Sequence, residues 1–276
     1  MTMTRLDGKV YAPVGKCIYC GSTKELEKEH ILPFALSGTA ILPKASCRKC
    51  ASITGAVEQE LLRGSFWPVR IFRNLKSRTK HKDAPATFPM TFVRNGKEEV
   101  HQLKIDELPI LLHFPLLAPP GYLSSGTPTA GVQLSGLATV RFGKDPIQAV
   151  SLRDATGLQV SEIHKPVAFA RMVAKIAYAF AYAEGMMNDM DSETFVLPSI
   201  LGEKDEIGRW VGTLTDPPKS HPGTLHRVVV HHDRQRDLLC AEVQLFSDSE
   251  TPSYGVILGR LKPNAAQHCA PRDAAR

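Results

Sequence analysis

Two cysteine pairs constrain the fold of this chain more than any other feature. The first is Cys17-Ile18-Tyr19-Cys20 and the second is Cys47-Arg48-Lys49-Cys50, with 26 residues between them. Two intervening residues let both sulfur atoms of a pair reach one ion, and Gly21 supplies the permissive backbone that such a turn needs. The spacing therefore predicts one structural zinc ion bound by four cysteines: Cys17, Cys20, Cys47 and Cys50.

Composition indicates a globular protein in a reducing compartment. The 276 residues are 43% hydrophobic and 22% charged, as in ordinary globular domains. Residues 1–10 are polar and contain no signal-peptide core, and the longest apolar stretch, 166–183, is interrupted by Arg171 and Lys175. We expect a cytoplasmic protein without a membrane span, in which Cys240 and Cys269 remain free thiols.

The net charge of +6 is unevenly distributed. Residues 1–82 contain 15 Lys and Arg against 6 Asp and Glu, whereas residues 83–276 contain 19 against 22. The part with the cysteine pairs thus carries +9 and the remainder −3. This asymmetry favours a polyanionic partner that contacts the N-terminal part.

The segment between the cysteine pairs contains Glu29-His30 followed by residues that exclude a long helix. Pro33, Gly38 and Pro43 break helical periodicity here, so we expect two short strand-like segments. Residues 51–63 regain a helical period, with Gly64 as the stop. The predicted order is first cysteine pair, strand pair, second cysteine pair, helix.

With this pattern, residues 15–65 resemble an HNH endonuclease of the ββα-metal (His-Me finger) class with a four-cysteine zinc site. The resemblance rests on Glu29-His30-Ile31-Leu32-Pro33 between the cysteine pairs and on the following helix. It implies that His30 is the general base that takes a proton from water. It also implies that Glu29 helps to hold one catalytic Mg²⁺ or Mn²⁺ ion at the scissile phosphate.

Two positions depart from the family pattern. The family usually has an asparagine before the second cysteine pair, where this chain has Leu42 and its neighbours, and an Asn or His after the last cysteine, where it has Ala51. A hard divalent ion binds several oxygen ligands. Glu58 lies on one helical face with Ala51 and Thr54, and we consider it as a further ligand of the ion. The departures leave a second interpretation open, a catalytically degenerate zinc module that binds nucleic acid without cutting it.

A basic segment follows this module. Residues 66–82 contain six cations and no acidic residue. Phe66, Val69, Phe72 and Leu75 recur every three residues, which predicts a helix that buries this stripe. The cations on its other faces are predicted to contact phosphates without reading sequence. The candidate nucleic-acid-binding residues are Arg70, Arg73, Lys76 and Lys80.

The C-terminal part is predicted to contain mostly strands and one long helix. Residues 91–94 and 100–103 flank Asn95-Gly96 as a hairpin, and further strands are expected at 132–142, 147–152, 225–230, 239–246 and 254–259. Residues 166–184 form the clearest helix. On it, Arg171, Lys175, Tyr178 and Tyr182 share one line, which we interpret as an amphipathic face over core edges, with base stacking as the alternative.

Taken together, the sequence predicts an α+β protein with two parts. Residues 1–82 form an HNH-like zinc finger nuclease module with a basic helix, and residues 83–276 form a mixed antiparallel-sheet domain with one long helix. We expect an endonuclease that hydrolyses phosphodiester bonds in DNA, with RNA left open as the substrate. Substrate placement, homodimer formation and regulation stay open for the C-terminal part, and a structural zinc scaffold for protein partners is the third interpretation.

Overall fold

The fold is known from a computed structural model that describes residues 8–77, 84–124, 130–159, 164–191 and 196–262. It is a mixed α+β structure with antiparallel sheets and few helices, so the predicted fold class is confirmed at this level. The predicted boundary between residues 82 and 83 lies outside the described residues. Buried side chains from before and after this boundary form one hydrophobic cluster.

The N-terminal part consists of a two-stranded hairpin followed directly by a helix. Strand β1 (Leu26–His30) pairs antiparallel with β2 (Ile41–Cys47), and α1 (Arg48–Leu62) begins at the next residue. A short helix, α2 (Trp67–Phe72), comes next. The predicted order of two strands and a helix around the second cysteine pair is therefore correct.

The remaining strands form three antiparallel sheets. Strands β3 (Phe88–Arg94) and β4 (Lys97–Leu103) form the predicted hairpin around Asn95-Gly96, both of which have positive φ, as the tight turn requires. Strands β5 (Pro109–Leu117) and β6 (Leu134–Gly143) pair with each other, and β7 (Gly157–Gln159) extends the first sheet. The third sheet contains β8 (Val211–Thr213), β9 (His226–Asp233), β10 (Leu238–Leu245) and β11 (Ser253–Arg260) in the order β8-β11-β10-β9.

The long helix α4 (Pro166–Ala183) is mostly buried. Thirteen of its 18 residues are buried, because it packs against α1 on one side and against β8 to β11 on another. Its alanine-rich sequence lets these elements approach closely. The short helix α5 (Leu197–Leu201) also contacts it. Among the described residues, no helix is both long enough and apolar enough to cross a bilayer.

The strand predicted at residues 147–152 is wrong, since the structure has a helix, α3 (Pro146–Ser151), in its place. The Asp145 side chain accepts a hydrogen bond of 3.0 Å from the backbone N–H of Gln148, and Pro146 occupies the first turn. An aspartate cap followed by proline is a strong helix start. These local signals outweigh the β propensity of Ile147 and Val150.

The basic segment forms a much shorter helix than predicted. Helix α2 ends at Phe72, and Asn74 has a φ of 47°, which a continuing helix does not allow. Phe72 is 42% exposed, so its predicted place in a buried stripe is wrong, whereas Phe66, Val69 and Leu75 are buried as predicted. The predicted continuation to residue 82 runs into residues 78–83, which lie outside the described residues.

Candidate functional site

The four N-terminal cysteines converge on one point. The Sγ atoms of Cys17, Cys20, Cys47 and Cys50 all lie within 4.8 Å of one another, and those of Cys20 and Cys47 are 3.6 Å apart. Four thiolates around a tetrahedral zinc ion, each with a bond of about 2.3 Å, would be about 3.8 Å apart. The predicted convergence is confirmed, and the cluster could hold a metal ion such as zinc.

Local backbone structure brings the two pairs together. The Gly21 amide donates a hydrogen bond of 2.9 Å to the Cys17 carbonyl, and Gly21 has a φ of 75°, so the first pair lies in a tight turn that needs glycine at its end. Cys47 is the last residue of β2, and Cys50 lies in the first turn of α1. The second pair therefore straddles a strand-to-helix junction.

The thiols of the second pair have opposite pKa shifts. A hydrogen bond from the Cys50 backbone and contacts with the neighbouring sulfur atoms lower the pKa of Cys47 to about 7. Burial raises the pKa of Cys50. Because a metal binds thiolates, the cluster must release protons when it takes up an ion.

His30 ends strand β1 and is half-buried. Its ring lies 5.6 Å from the ring of Phe34, centroid to centroid, and its Nδ1 atom is buried. Burial lowers the pKa of His30, and the charges of Lys28 and Lys175 lower it further. The imidazole is therefore neutral near pH 7, the form that can accept a proton.

Glu29 and Glu58 lie close together, and both carboxylates are paired with Lys175. Glu29 is 5% exposed and Lys175 is 2% exposed. The Lys175 Nζ atom lies 2.5 Å from Glu29 Oε1 and 3.0 Å from Glu58 Oε1. The same ammonium group donates a hydrogen bond to the backbone carbonyl of His30. We refer to Glu29, Glu58 and Lys175 as the buried charge cluster.

The pKa shifts in this cluster have identifiable causes. Burial alone would lower the pKa of Lys175, but the Glu29 and Glu58 carboxylates outweigh it and raise that pKa above its ordinary value. Lys175 is therefore a buried ammonium ion. Burial raises the pKa of Glu58, an effect that Lys175 opposes and Glu29 reinforces.

The two positions that depart from the family pattern carry no ligand atoms here either. Leu42 is 2% exposed and lies opposite Glu29 in the register of the hairpin, and Ala51 is half-buried in the first turn of α1. Thr54, which lies on the same face of α1, donates its hydroxyl hydrogen to the Cys50 carbonyl. Among the residues considered as ligands of the divalent ion, Glu29 and Glu58 are the two that supply carboxylates, and these carboxylates lie close together.

Two arginines of the basic segment, which the sequence predicts to contact phosphates, contact groups within the protein instead. Arg70 is 9% exposed and its guanidinium donates to the carbonyls of Ala35 and Leu62, so it stabilises the end of α1 rather than facing solvent. Arg73 makes a two-pronged ion pair with Asp248. Lys76 is exposed, and Lys80 lies outside the described residues.

Sequence reasoning missed the exposed cations nearest the cysteines and His30. Lys16 precedes the first cysteine, and Arg48 and Lys49 lie within the second pair. Lys28 lies two residues before His30 in β1, and both are more exposed than Glu29 between them. The pairing of β1 with β2 is irregular between Glu27 and Glu29, so strand alternation alone would not have placed Lys28 beside His30; its position two residues before His30 was the signal that could have identified it.

Asp233 and Cys240 belong to the last sheet. Asp233 ends β9 and accepts hydrogen bonds from the backbone N–H groups of Gln235 and Arg236 and from the Arg236 side chain, so it stabilises the turn that leads to β10. Cys240 is a half-buried free thiol whose pKa is raised by burial to about 12. Cys269 lies outside the described residues.

Comparisons of the chain with protein-family models, with curated proteins and with solved structures gave no match.

Proposed function

We propose that this protein is an endonuclease that hydrolyses phosphodiester bonds in DNA, with His30 as the general base. One observation carries the proposal: a neutral, half-exposed imidazole ends a strand of a hairpin whose partner strand leads into a helix at a four-cysteine cluster. This arrangement agrees with the ββα-metal finger that the sequence resembles. Zinc held by the four cysteines would fix the ends of the unit and would have no part in the chemistry.

In this proposal His30 and Lys28 act on the same phosphate. The neutral imidazole takes a proton from the attacking water as the new P–O bond forms, while the P–O bond to the leaving sugar oxygen breaks and that oxygen takes a proton from solvent water. The Lys28 ammonium, exposed two residues before His30 in β1, would stabilise the negative charge that develops on the phosphate oxygens. Lys28 already lies close enough to His30 for its charge to lower the pKa of the imidazole.

The divalent ion expected from the resemblance does not fit Glu29 and Glu58 as they are arranged. Both carboxylates are paired with Lys175, and Glu29 is nearly inaccessible to solvent. A Mg²⁺ or Mn²⁺ ion also prefers several oxygen ligands and bound water. No step of the proposed reaction is therefore assigned to such an ion.

The charge distribution supports a nucleic acid as the partner. Residues 1–82 carry +9, and the exposed cations Lys16, Arg48 and Lys49 lie beside the cysteine cluster. Such side chains release counterions when they neutralise phosphates, so binding should weaken steeply as salt rises. These three residues replace Arg70 and Arg73 in our proposed contact surface.

The decisive experiment is a cleavage assay with the zinc-loaded protein. Supercoiled and linear DNA are incubated with the wild type, with His30→Ala and with His101→Ala, a control histidine on β4, in EDTA, Mg²⁺ or Mn²⁺. The proposal expects cutting by the wild type and the control, and a loss of about 100-fold or more in His30→Ala. Equal cutting by all three proteins would refute it.

A second candidate is a zinc-containing nucleic-acid-binding protein that does not cut. It is favoured by the pairing of Glu29 and Glu58 with Lys175 and by the absence of ligand atoms at Leu42 and Ala51. This candidate predicts salt-sensitive DNA binding without cleavage under any of the ion conditions. Binding that is unaffected by replacement of Lys16, Arg48 and Lys49 with Ala would contradict the contact surface proposed for both candidates.

A further inference from the structure

The buried ammonium of Lys175 lies among three oxygen atoms. It donates a hydrogen bond to the backbone carbonyl of His30 and forms ion pairs with Glu29 Oε1 at 2.5 Å and with Glu58 Oε1 at 3.0 Å. These oxygen atoms come from β1 and α1, whereas Lys175 belongs to α4. A helix from the C-terminal part thus supplies a cation to the hairpin-helix unit.

The ammonium group lies where the surrounding oxygen atoms would suit a bound metal cation. Two carboxylates and one backbone carbonyl, all oxygen donors, are the ligand types that hard divalent ions choose. Here they converge on a nitrogen that carries a positive charge and is 2% exposed. A second cation at the same carboxylates would lie against a like charge with little solvent to screen it.

A narrow crevice, without room for a water molecule, lies at this position between α1, α4 and α5. Its lining includes Thr54, Glu58, Arg171 and Lys175. Arg171, one turn before Lys175, donates two hydrogen bonds to the Ile200 carbonyl. The crevice therefore presents two cationic side chains beside one carboxylate, an arrangement that disfavours entry of a metal cation.

We infer that Lys175 is a built-in cation of this unit, with its ammonium in the place between Glu29 and Glu58 that a divalent ion would otherwise occupy. The consequence for the reaction rests on the proposed function: DNA cleavage by the zinc-loaded protein requires no Mg²⁺ or Mn²⁺ at these carboxylates. The presence of the Lys175 ammonium between Glu29 and Glu58 does not depend on catalysis, and ion binding alone tests whether it excludes a divalent ion.

The test is a titration of zinc-loaded, full-length protein with Mn²⁺, followed by calorimetry, by the paramagnetic signal of free Mn²⁺ and by the melting temperature. Four proteins are compared, namely the wild type, Lys175→Met, Glu58→Gln and the double variant Lys175→Met/Glu58→Gln. Removal of the ammonium should leave two carboxylates for Mn²⁺. We expect Lys175→Met to bind one Mn²⁺ at least about tenfold more tightly than the wild type and to melt at a higher temperature when Mn²⁺ is added.

The controls separate this result from other sources of Mn²⁺ binding. The double variant should lose the added Mn²⁺ site, and Glu58→Gln alone should respond to Mn²⁺ as the wild type does. Folded Lys175→Met that gains no Mn²⁺ would overturn the inference. If Lys175→Met does not fold, the Glu58→Gln comparison decides: unchanged Mn²⁺ binding supports the inference, and loss of a wild-type Mn²⁺ site overturns it.

Cleavage is measured in parallel with the same wild-type preparation. Cutting in EDTA that leaves zinc in place supports the catalytic consequence, whereas cutting that requires Mg²⁺ or Mn²⁺ and is lost in Glu58→Gln contradicts it. No cutting under any condition would refute the proposed function. The Mn²⁺ titration would still decide whether the ammonium excludes a divalent ion, so the two failures are distinguishable.

Discussion

The hydroxyl group of Tyr178 donates a hydrogen bond of 2.7 Å to the backbone carbonyl of Ile18, and both residues are buried. Ile18 lies between Cys17 and Cys20, so this bond ties helix α4 to the turn of the first cysteine pair. The Tyr178 ring also stacks on Tyr19, with 5.8 Å between centroids. The turn is therefore supported from the C-terminal part of the chain as well as by its own hydrogen bonds.

Replacement of Tyr178 by Phe should destabilise the protein by about 1–3 kcal/mol, because it leaves the buried Ile18 carbonyl without this donor. The stacked ring is kept, so the loss measures the hydrogen bond. Urea unfolding gives the free energy. Tyr182→Phe, one turn further along α4 where the tyrosine is half-buried, is the matched control and should cost less than about 0.5 kcal/mol. Equal losses would contradict the assigned role.

The four-cysteine cluster was predictable because its geometry is local. Two residues between thiols fix each pair, and the hairpin that joins the pairs was marked by Pro33, Gly38 and Pro43. The hairpins around Asn95-Gly96 and in the last sheet followed from turn chemistry and alternation in the same way. In each case, the residues that determine the structure are neighbours in the sequence.

The partner of Glu29 and Glu58 was not predictable in this way. Lys175 lies 145 residues after His30, and its position on α4 placed it on a line with two tyrosines. Helical periodicity shows which residues share a face, but it does not show that α1 and β1 cover that face. The contacts of Arg70 were not predictable for a similar reason, because its partners are backbone carbonyls, which have no sequence signature.

Replacement of Cys47 by Ser should remove the bound metal and unfold the N-terminal part. Serine does not supply the thiolate that completes the set of four ligands, and structural zinc contributes directly to folding. Metal analysis should fall from one zinc per chain in the wild type to less than about 0.1. Cys240→Ser, which removes a thiol outside the cluster, should retain the zinc. Zinc retention by Cys47→Ser would contradict the four-cysteine site.

Replacement of Gly38 by Ala should destabilise the hairpin loop that follows His30. A Cβ atom at this position would overlap the backbone carbonyl oxygen of Leu32, so the loop must open, at a cost of about 2 kcal/mol or more. Gly55→Ala is the matched control because a Cβ atom there meets nothing within 4 Å and the residue lies inside α1. It should stabilise by about 0.5–1 kcal/mol. Thermal unfolding of both variants should therefore shift in opposite directions.

His226 connects the last sheet to the loop of the N-terminal hairpin. Its Nε2 atom lies 2.8 Å from the Leu36 carbonyl, and its Nδ1 atom lies 3.1 Å from the backbone nitrogen of Phe246. Because the Phe246 amide is a donor, Nδ1 must accept, so the ring is neutral and Nε2 carries the hydrogen. Burial lowers the pKa of His226 to about 4, with Arg73 lowering it further and the Leu36 carbonyl and Asp248 opposing the shift.

This neutral histidine predicts that stability falls as the pH is lowered. In the unfolded chain the pKa of a histidine is about 6.5, so below that pH the unfolded state binds a proton that the folded state does not. The loss begins near pH 6.5, reaches about 2 kcal/mol at pH 5 and levels off below the folded pKa of His226, near pH 4. Urea unfolding at pH 7 and pH 5 measures it. In His226→Gln this contribution should be absent, although the variant is less stable at pH 7, because glutamine does not titrate. An equal fall in the wild type and in His226→Gln would show that other groups cause the pH dependence.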